Sequence, residues 1–290
     1  MEDNIINDGN ENQNEEDKFL REEFKRTEVM PDEEKIKKKK KIIIILVVIG
    51  ALLILTAIAL ILIFTLKKTG DILPPLIMNS TSGNHTHTII FMPGLGNEPE
   101  IFKKTFDEKI QFKKKKDTTI ILLRSPSNYV TALNEKTNSW FNIFRLPISN
   151  FSDINNTELK ATSAKVLEKV INNEVNILNG DYSKIILSGH SQGAMISLYQ
   201  TYFSNKTYGG LISFSGILPP GEISDDKRKV KTWIGYGDKD NVIDPGFMSK
   251  TLQRIEHFEG VEIHIYKDHT HYLKTKEAED AGIFLDKIIK

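Results

Sequence analysis

The chain has 290 residues, no cysteine and a formal net charge of zero. The missing thiol excludes disulfides, thiolate metal sites, thiol nucleophiles and S-acylation of the chain itself, so a covalent nucleophile must be Ser, Thr, Lys or a carboxylate. The charge is segregated: residues 1–34 hold 13 acids and 4 bases, residues 35–68 hold 8 lysines and no acid, and residues 69–290 hold 27 bases against 26 acids. No strong basic face follows for the large segment, which argues against a nucleic-acid partner.

Residues 1–41 are acidic and poor in aromatics up to the lysines that close them, and are expected to be a disordered tail. Residues 42–66 follow as 25 residues interrupted only by Gly50, Thr56 and Thr65. As a helix this run reaches about 37 Å, more than the ~30 Å hydrocarbon core of a bilayer. It lies behind 41 residues of charged sequence and lacks an A-x-A-like cleavage site, so it reads as an uncleaved transmembrane signal-anchor. Lys35 and Lys37 to Lys41 precede it, against Lys67 and Lys68 after it, which predicts a cytoplasmic N-terminus and an extracytoplasmic C-terminal domain, a type II single-pass protein. Five N-x-[ST] sequons, at Asn79, Asn84, Asn150, Asn155 and Asn205, all fall beyond the span and are expected glycosylation sites.

Residues 67–86, with Pro74-Pro75 followed by Asn, Ser, Thr and Gly, are predicted to be a stalk. From 87 to 290 short apolar runs alternate with amphipathic ones. Strands are expected over His87–Met92, Thr118–Leu123, Lys184–Leu187, Gly210–Phe214, Val230–Tyr236 and Val261–Tyr266. Helices are expected over about 98–110, 157–178, 192–203, 246–258 and 273–289. This alternation predicts one α/β domain with a mostly parallel sheet flanked by helices.

The most informative residues are Gly189-His190-Ser191-Gln192-Gly193. They spell G-x-S-x-G between an apolar run and a helical stretch, the setting of a nucleophile elbow in the α/β-hydrolase fold. A serine hydroxyl needs a base and a group to orient that base, in the chain order Ser, then acid, then His. Gly237-Asp238-Lys239-Asp240 and Asp268-His269-Thr270-His271 follow the next strands in that order. Asp238 and Asp244 compete with Asp240 for the acid, and His269 competes with His271 for the base. The loser of each contest is a turn residue or an exposed neighbour. His269-Thr270-His271 has strand-like rather than H-E-x-x-H spacing, and neither a metal nor a cofactor is expected.

Over residues 87–290 the chain resembles the acyl-protein thioesterase/carboxylesterase family, also known as the phospholipase/carboxylesterase family. The resemblance rests on five segments in order: Gly94-Leu95-Gly96-Asn97, Ser139-Trp140-Phe141-Asn142-Ile143, Gly189 to Met195, Phe214 to Pro219, and Gly237 to Asp240. It implies Ser191 as nucleophile, Asp240 as acid, His271 as base, and the backbone N–H groups of Leu95 and Gln192 as the oxyanion hole. The segment with Trp140 and Phe141 is expected either to line the substrate channel or to be core. The chain departs from the family at Pro93, where a histidine is usual, at Asn142, and at Asn241 and Asp244 in place of two prolines.

The expected activity is that of a membrane-anchored serine hydrolase acting on carboxylic esters or acyl thioesters. Its substrate would be a lipid or an acylated protein. The alternatives are an acyl-protein thioesterase acting on S-acylated proteins, a lysophospholipase, a peptidase of the same fold, and a non-catalytic hydrolase-fold ectodomain.

Overall fold

The computed structural model describes residues 17–25, 32–68 and 74–290, without the side chains of residues 32, 55 and 57–68. The chain divides into two units, Met1–Thr69 and Gly70–Lys290. In the first, residues 17–25 form helix α1 and Asp32–Lys68 form the 37-residue helix α2. The acidic tail expected to lack structure therefore carries helix at residues 17–25 and 32–41, and the rest of it lies outside the described residues. Among the described residues no helix is long and apolar enough to cross a membrane. The expected span, 42–66, falls within α2, and most of its second half lies outside the described side chains.

The second unit is built on a seven-stranded sheet in the order β1-β3-β2-β6-β7-β8-β9. Its strands are β1 (Leu76–Met78), β2 (His87–Met92), β3 (Thr118–Leu122), β6 (Ile185–His190), β7 (Gly210–Phe214), β8 (Thr232–Gly237) and β9 (Val261–Tyr266). Every neighbouring pair is parallel except β1 with β3. The helices are α3 (Pro99–Glu108), α4 (Asn156–Thr162), α5 (Glu168–Ile177), α6 (Gln192–Phe203), α7 (Pro245–Leu252) and α8 (Thr275–Ile288). Strands β2, β3, β6, β7 and β8 are buried along nearly their whole length, as apolar runs covered on both faces must be. One core gathers Leu187, Met195, Leu198 and Ile234 with residues of α4, α5, α6 and α7. The other packs Phe102 and Phe106 of α3 and Phe284 and Leu285 of α8 on the opposite side of the sheet.

Three features depart from the sequence expectation. Leu76–Met78, placed in the stalk, pair antiparallel with Ile120–Leu122, so the folded unit begins ahead of residue 87. A two-stranded hairpin of β4 (Ser127–Val130) and β5 (Glu135–Asn138) also lies outside the main sheet. Between α4 and α5, residues Ser163–Leu167 form one wide π turn, so the helix expected over 157–178 runs in three parts.

Candidate active site

In parallel sheets, functional groups collect where strands deliver the chain to loops at their carboxyl ends. Here β2, β6, β7, β8 and β9 lead into Pro93, Ser191, Ser215, the loop with Asp240 and the loop with His271, respectively.

Ser191 stands between β6 and α6 at φ 53° and ψ −116°, a strained conformation for a side chain with a Cβ. The turn is possible because its flanks are glycine. A Cβ on Gly193 would lie 1.9 Å from the Met92 carbonyl oxygen, and one on Gly189 would lie 2.4 Å from the Gly193 carbonyl carbon. The Ser191 N–H donates to the Phe214 carbonyl at 2.9 Å, tying the turn to the end of β7.

The two loops after β8 and β9 lie directly on each other, with Lys239 N–H donating to the His269 carbonyl at 2.9 Å. This contact brings Asp240 and His271 together, and His271 Nδ1 sits 2.7 Å from Asp240 Oδ2. The other carboxylate oxygen of Asp240 accepts from the N–H groups of Val242 and Ile243, both at 2.8 Å. Both oxygens of this buried carboxylate are thereby engaged, and the imidazole beside it is fixed at one nitrogen.

The competing residues have other work. Asp244 caps α7 by accepting from Phe247 N–H at 2.7 Å. Asp238 is exposed and accepts weakly from His269 N–H at 3.4 Å. His269 is not an exposed neighbour: it is buried, and its Nε2 lies 2.9 Å from Glu277 Oε2. Burial holds the His269 pKa below its ordinary value and pushes Glu277 up to about 7. The second imidazole–carboxyl pair anchors the loop that carries His271. Glu277 was detectable in sequence only as an acid on the apolar stripe of α8, in helical phase with Ala281, Phe284 and Leu285.

The Gly94-Leu95-Gly96 loop reaches the elbow. A Cβ on Gly94 would lie 2.8 Å from His190 Nδ1 and 3.1 Å from Ser191 Cβ, so glycine there permits the close approach. Leu95 is half-buried at this junction, and Gln192 opens α6. The Gln192 side chain, fully buried, accepts from Trp140 N–H at 3.0 Å and donates to the Phe141 carbonyl at 2.7 Å. Trp140 Nε1–H in turn donates to the Pro93 carbonyl at 2.8 Å. Trp140 and Phe141 are only 3% and 1% exposed and belong to the core. They act as a prop beneath the loop before Leu95 rather than as an open channel wall. Asn142 bridges to the hairpin, accepting from Thr131 N–H and donating to Thr131 Oγ1, both at 2.8 Å.

A family profile described as Phospholipase/Carboxylesterase matches residues 76–289, about three quarters of the chain. The chain belongs to this family. It is a serine hydrolase of acyl-protein thioesterase/carboxylesterase type with the α/β-hydrolase fold. Among its relatives, acyl-protein thioesterase 1 homolog 2 of Dictyostelium discoideum is 26% identical over 174 residues, covering 58% of this chain and 76% of that protein. Acyl-protein thioesterase 1 of Yarrowia lipolytica is 24% identical over 225 residues, covering 74% of this chain and 98% of that protein. The crystal structure of SOBER1 from Arabidopsis thaliana shares the fold, with a TM-score of 0.63 at 19% identity over 70% of this chain and 99% of that one. The family match begins at residue 76, where β1 begins.

Five expected sequons lie within the described unit. Asn79, Asn84, Asn150 and Asn205 are exposed, and Asn155 is half-buried as the cap of α4, accepting from Glu158 N–H. Among the described residues, no group of three or more His, Asp or Glu side chains is placed to hold a metal ion.

Proposed function

We propose that this family member is a membrane-anchored enzyme that cleaves carboxylic esters or acyl thioesters through Ser191, His271 and Asp240. The observations that carry this reading are the 2.7 Å contact of His271 Nδ1 with Asp240 Oδ2 and the elbow geometry of Ser191. Ser191 Oγ attacks the acyl carbon while His271 Nε2 takes its proton, and Asp240 stabilises the resulting imidazolium. The N–H groups of Leu95 and Gln192 receive the oxyanion, each typically worth about 3–4 kcal/mol in such sites. His271 then returns the proton to the departing alcohol oxygen or thiol sulfur, leaving an acyl ester on Ser191. Water, deprotonated by His271, releases the carboxylic acid and restores the serine. The test is a fluorophosphonate probe followed by a panel of esters and thioesters of graded chain length. Labelling at one residue, Ser191, and its loss together with all turnover in Ser191→Ala are expected. Labelling elsewhere refutes the assignment.

Anchoring through residues 42–66 is supported by the sequence, and by an apolar helix exposed on every side over Ile43 to Ile54. Such a helix is at home among lipid tails rather than in water. The lysine asymmetry and the sequons support an extracytoplasmic hydrolase unit. The relatives' name, acyl-protein thioesterase, favours a second reading in which the substrates are S-acylated proteins. Protease protection in sealed microsomes with an endoglycosidase shift separates the two. A protected, glycosylated unit supports lipid or small-ester substrates on the far side. Digestion without a glycan moves the unit to the cytosol and makes protein deacylation the leading activity.

A further inference from the structure

Asp240 fixes one ring nitrogen of His271, but a general base also needs its backbone held. Two side chains from neighbouring strand ends meet the carbonyl oxygen of this residue. His190 Nε2 lies 3.0 Å from it and Ser215 Oγ donates to it at 3.4 Å. A carbonyl only accepts, so Nε2 of His190 carries the proton and Nδ1 is a bare acceptor. That Nδ1 is buried without a hydrogen-bond partner and abuts Gly94. Ser215 adopts φ 51°, a left-handed conformation that a non-glycine residue takes only under constraint. Buried polar atoms are ordinarily satisfied and strained backbone is ordinarily relieved, so two such costs at one carbonyl need a reason. Burial and the neighbouring His271 push the His190 pKa down to about 3, keeping this imidazole neutral over the working range. The two histidine rings stand 5.0 Å apart at 54°.

We propose that His190 and Ser215 form a carbonyl clamp that positions His271 for proton transfer, a role resting on the Ser191–His271–Asp240 reading above. The clamp sets where the imidazole sits, while Asp240 sets its tautomer. Displacements of about 1 Å in such a site cost on the order of a hundredfold in rate.

The test uses the full chain in detergent with a p-nitrophenyl ester. His190→Phe keeps a ring without a donor, His190→Gln keeps a donor near Nε2, and Ser215→Gly removes the hydroxyl where φ suits glycine. His190→Phe and Ser215→Gly should each lower kcat and the rate of fluorophosphonate labelling about tenfold or more, with KM within twofold. The downfield proton resonance of the Asp240–His271 hydrogen bond should shift or broaden in both, and His190→Gln should recover part of the rate. Unchanged kcat and resonance in Ser215→Gly or His190→Phe, with only a lower unfolding midpoint, would reduce the pair to core packing and overturn the proposal. If His190→Phe does not fold, Ser215→Gly decides on the same measures. Failure of the parent protein to label at Ser191 is a separate outcome, which sinks the underlying reading instead.

Discussion

Replacing Asp240 by Asn tests the site at its best-defined contact. The exchange preserves size, so its effect comes from hydrogen-bond direction. One carboxylate oxygen accepts from Val242 N–H and Ile243 N–H at 2.8 Å each, while the other faces His271 Nδ1 at 2.7 Å. The amide that replaces it has one acceptor and one donor end. Turning the donor toward the two backbone N–H groups would leave both opposed, at about 1–3 kcal/mol each. The amide therefore keeps its oxygen on the backbone and points NH2 at His271. Nδ1 must then accept, its proton moves to Nε2, and the imidazole can no longer take the proton of Ser191. Holding the productive tautomer against about 2–6 kcal/mol lowers kcat by a factor on the order of 10² to 10⁴. The same exchange in serine proteases costs about 10⁴. The assay is steady-state hydrolysis of a p-nitrophenyl ester, with an unfolding midpoint to show that the variant is folded. Activity within tenfold of the parent in a folded Asp240→Asn protein would refute the tautomer argument and the assignment of Asp240.

Exchanging each histidine of the His269-Thr270-His271 stretch for alanine should separate their roles. His271→Ala loses several orders of magnitude in kcat, whereas His269→Ala keeps measurable turnover and loses about 2 kcal/mol of stability with its Glu277 bond; the reverse result in an ester assay would exchange the two. Gly193→Ala places a Cβ where the Met92 carbonyl oxygen stands 1.9 Å away, so it should destabilise by at least about 2 kcal/mol and cost activity, as read in a urea titration. Glu277, pushed up to about 7 by burial, holds a proton in the folded chain that the unfolded chain has released above about 4.5. The stability of the parent relative to Glu277→Gln should therefore fall by a few kcal/mol as pH rises from about 4.5 to 7 and level off above. Fluorescence of Trp140 and Trp233, the two tryptophans, follows the unfolding, and a difference that grows with pH would contradict the burial argument.

Six of the seven sheet strands were legible: β2, β3, β6, β7 and β8 as apolar runs buried on both faces, and β9 as an alternation of apolar and polar residues, half-buried at the far end of the strand order. The elbow was legible because Gly189 and Gly193 sit at the switch from an apolar run to a helical stretch. What sequence did not show depends on contacts made far along the chain. Leu76–Met78 is three residues long and becomes a strand only because β3 offers an open edge. The hairpin of β4 and β5 is largely polar, with Ser127, Asn128, Glu135 and Lys136 carrying no strand signal. Trp140 was open between channel and core, and only its bond to the Pro93 carbonyl resolves it as a prop. His190 occupies the variable position of G-x-S-x-G, where a pattern match assigns it no role. Its tie to His271, 81 residues later, has no local signature.

The place of α8, which packs on the sheet and sets Glu277 against His269, gives the molecule a built-in order of completion. The elbow is tied to β2, β6 and β7, all complete by residue 214, whereas the loop with His271 is backed by a side chain from α8, which follows β9. Chains are made from the N-terminus at about 5–20 residues per second, so a nascent chain can present its serine before it owns a working base. On the proposed reading, the site is complete only after α8 has been made and has packed on the sheet. Products shortened ahead of residue 277 lose Phe284 and Leu285 from the core as well as Glu277 from behind the His271 loop, and are expected to be silent rather than unregulated hydrolases.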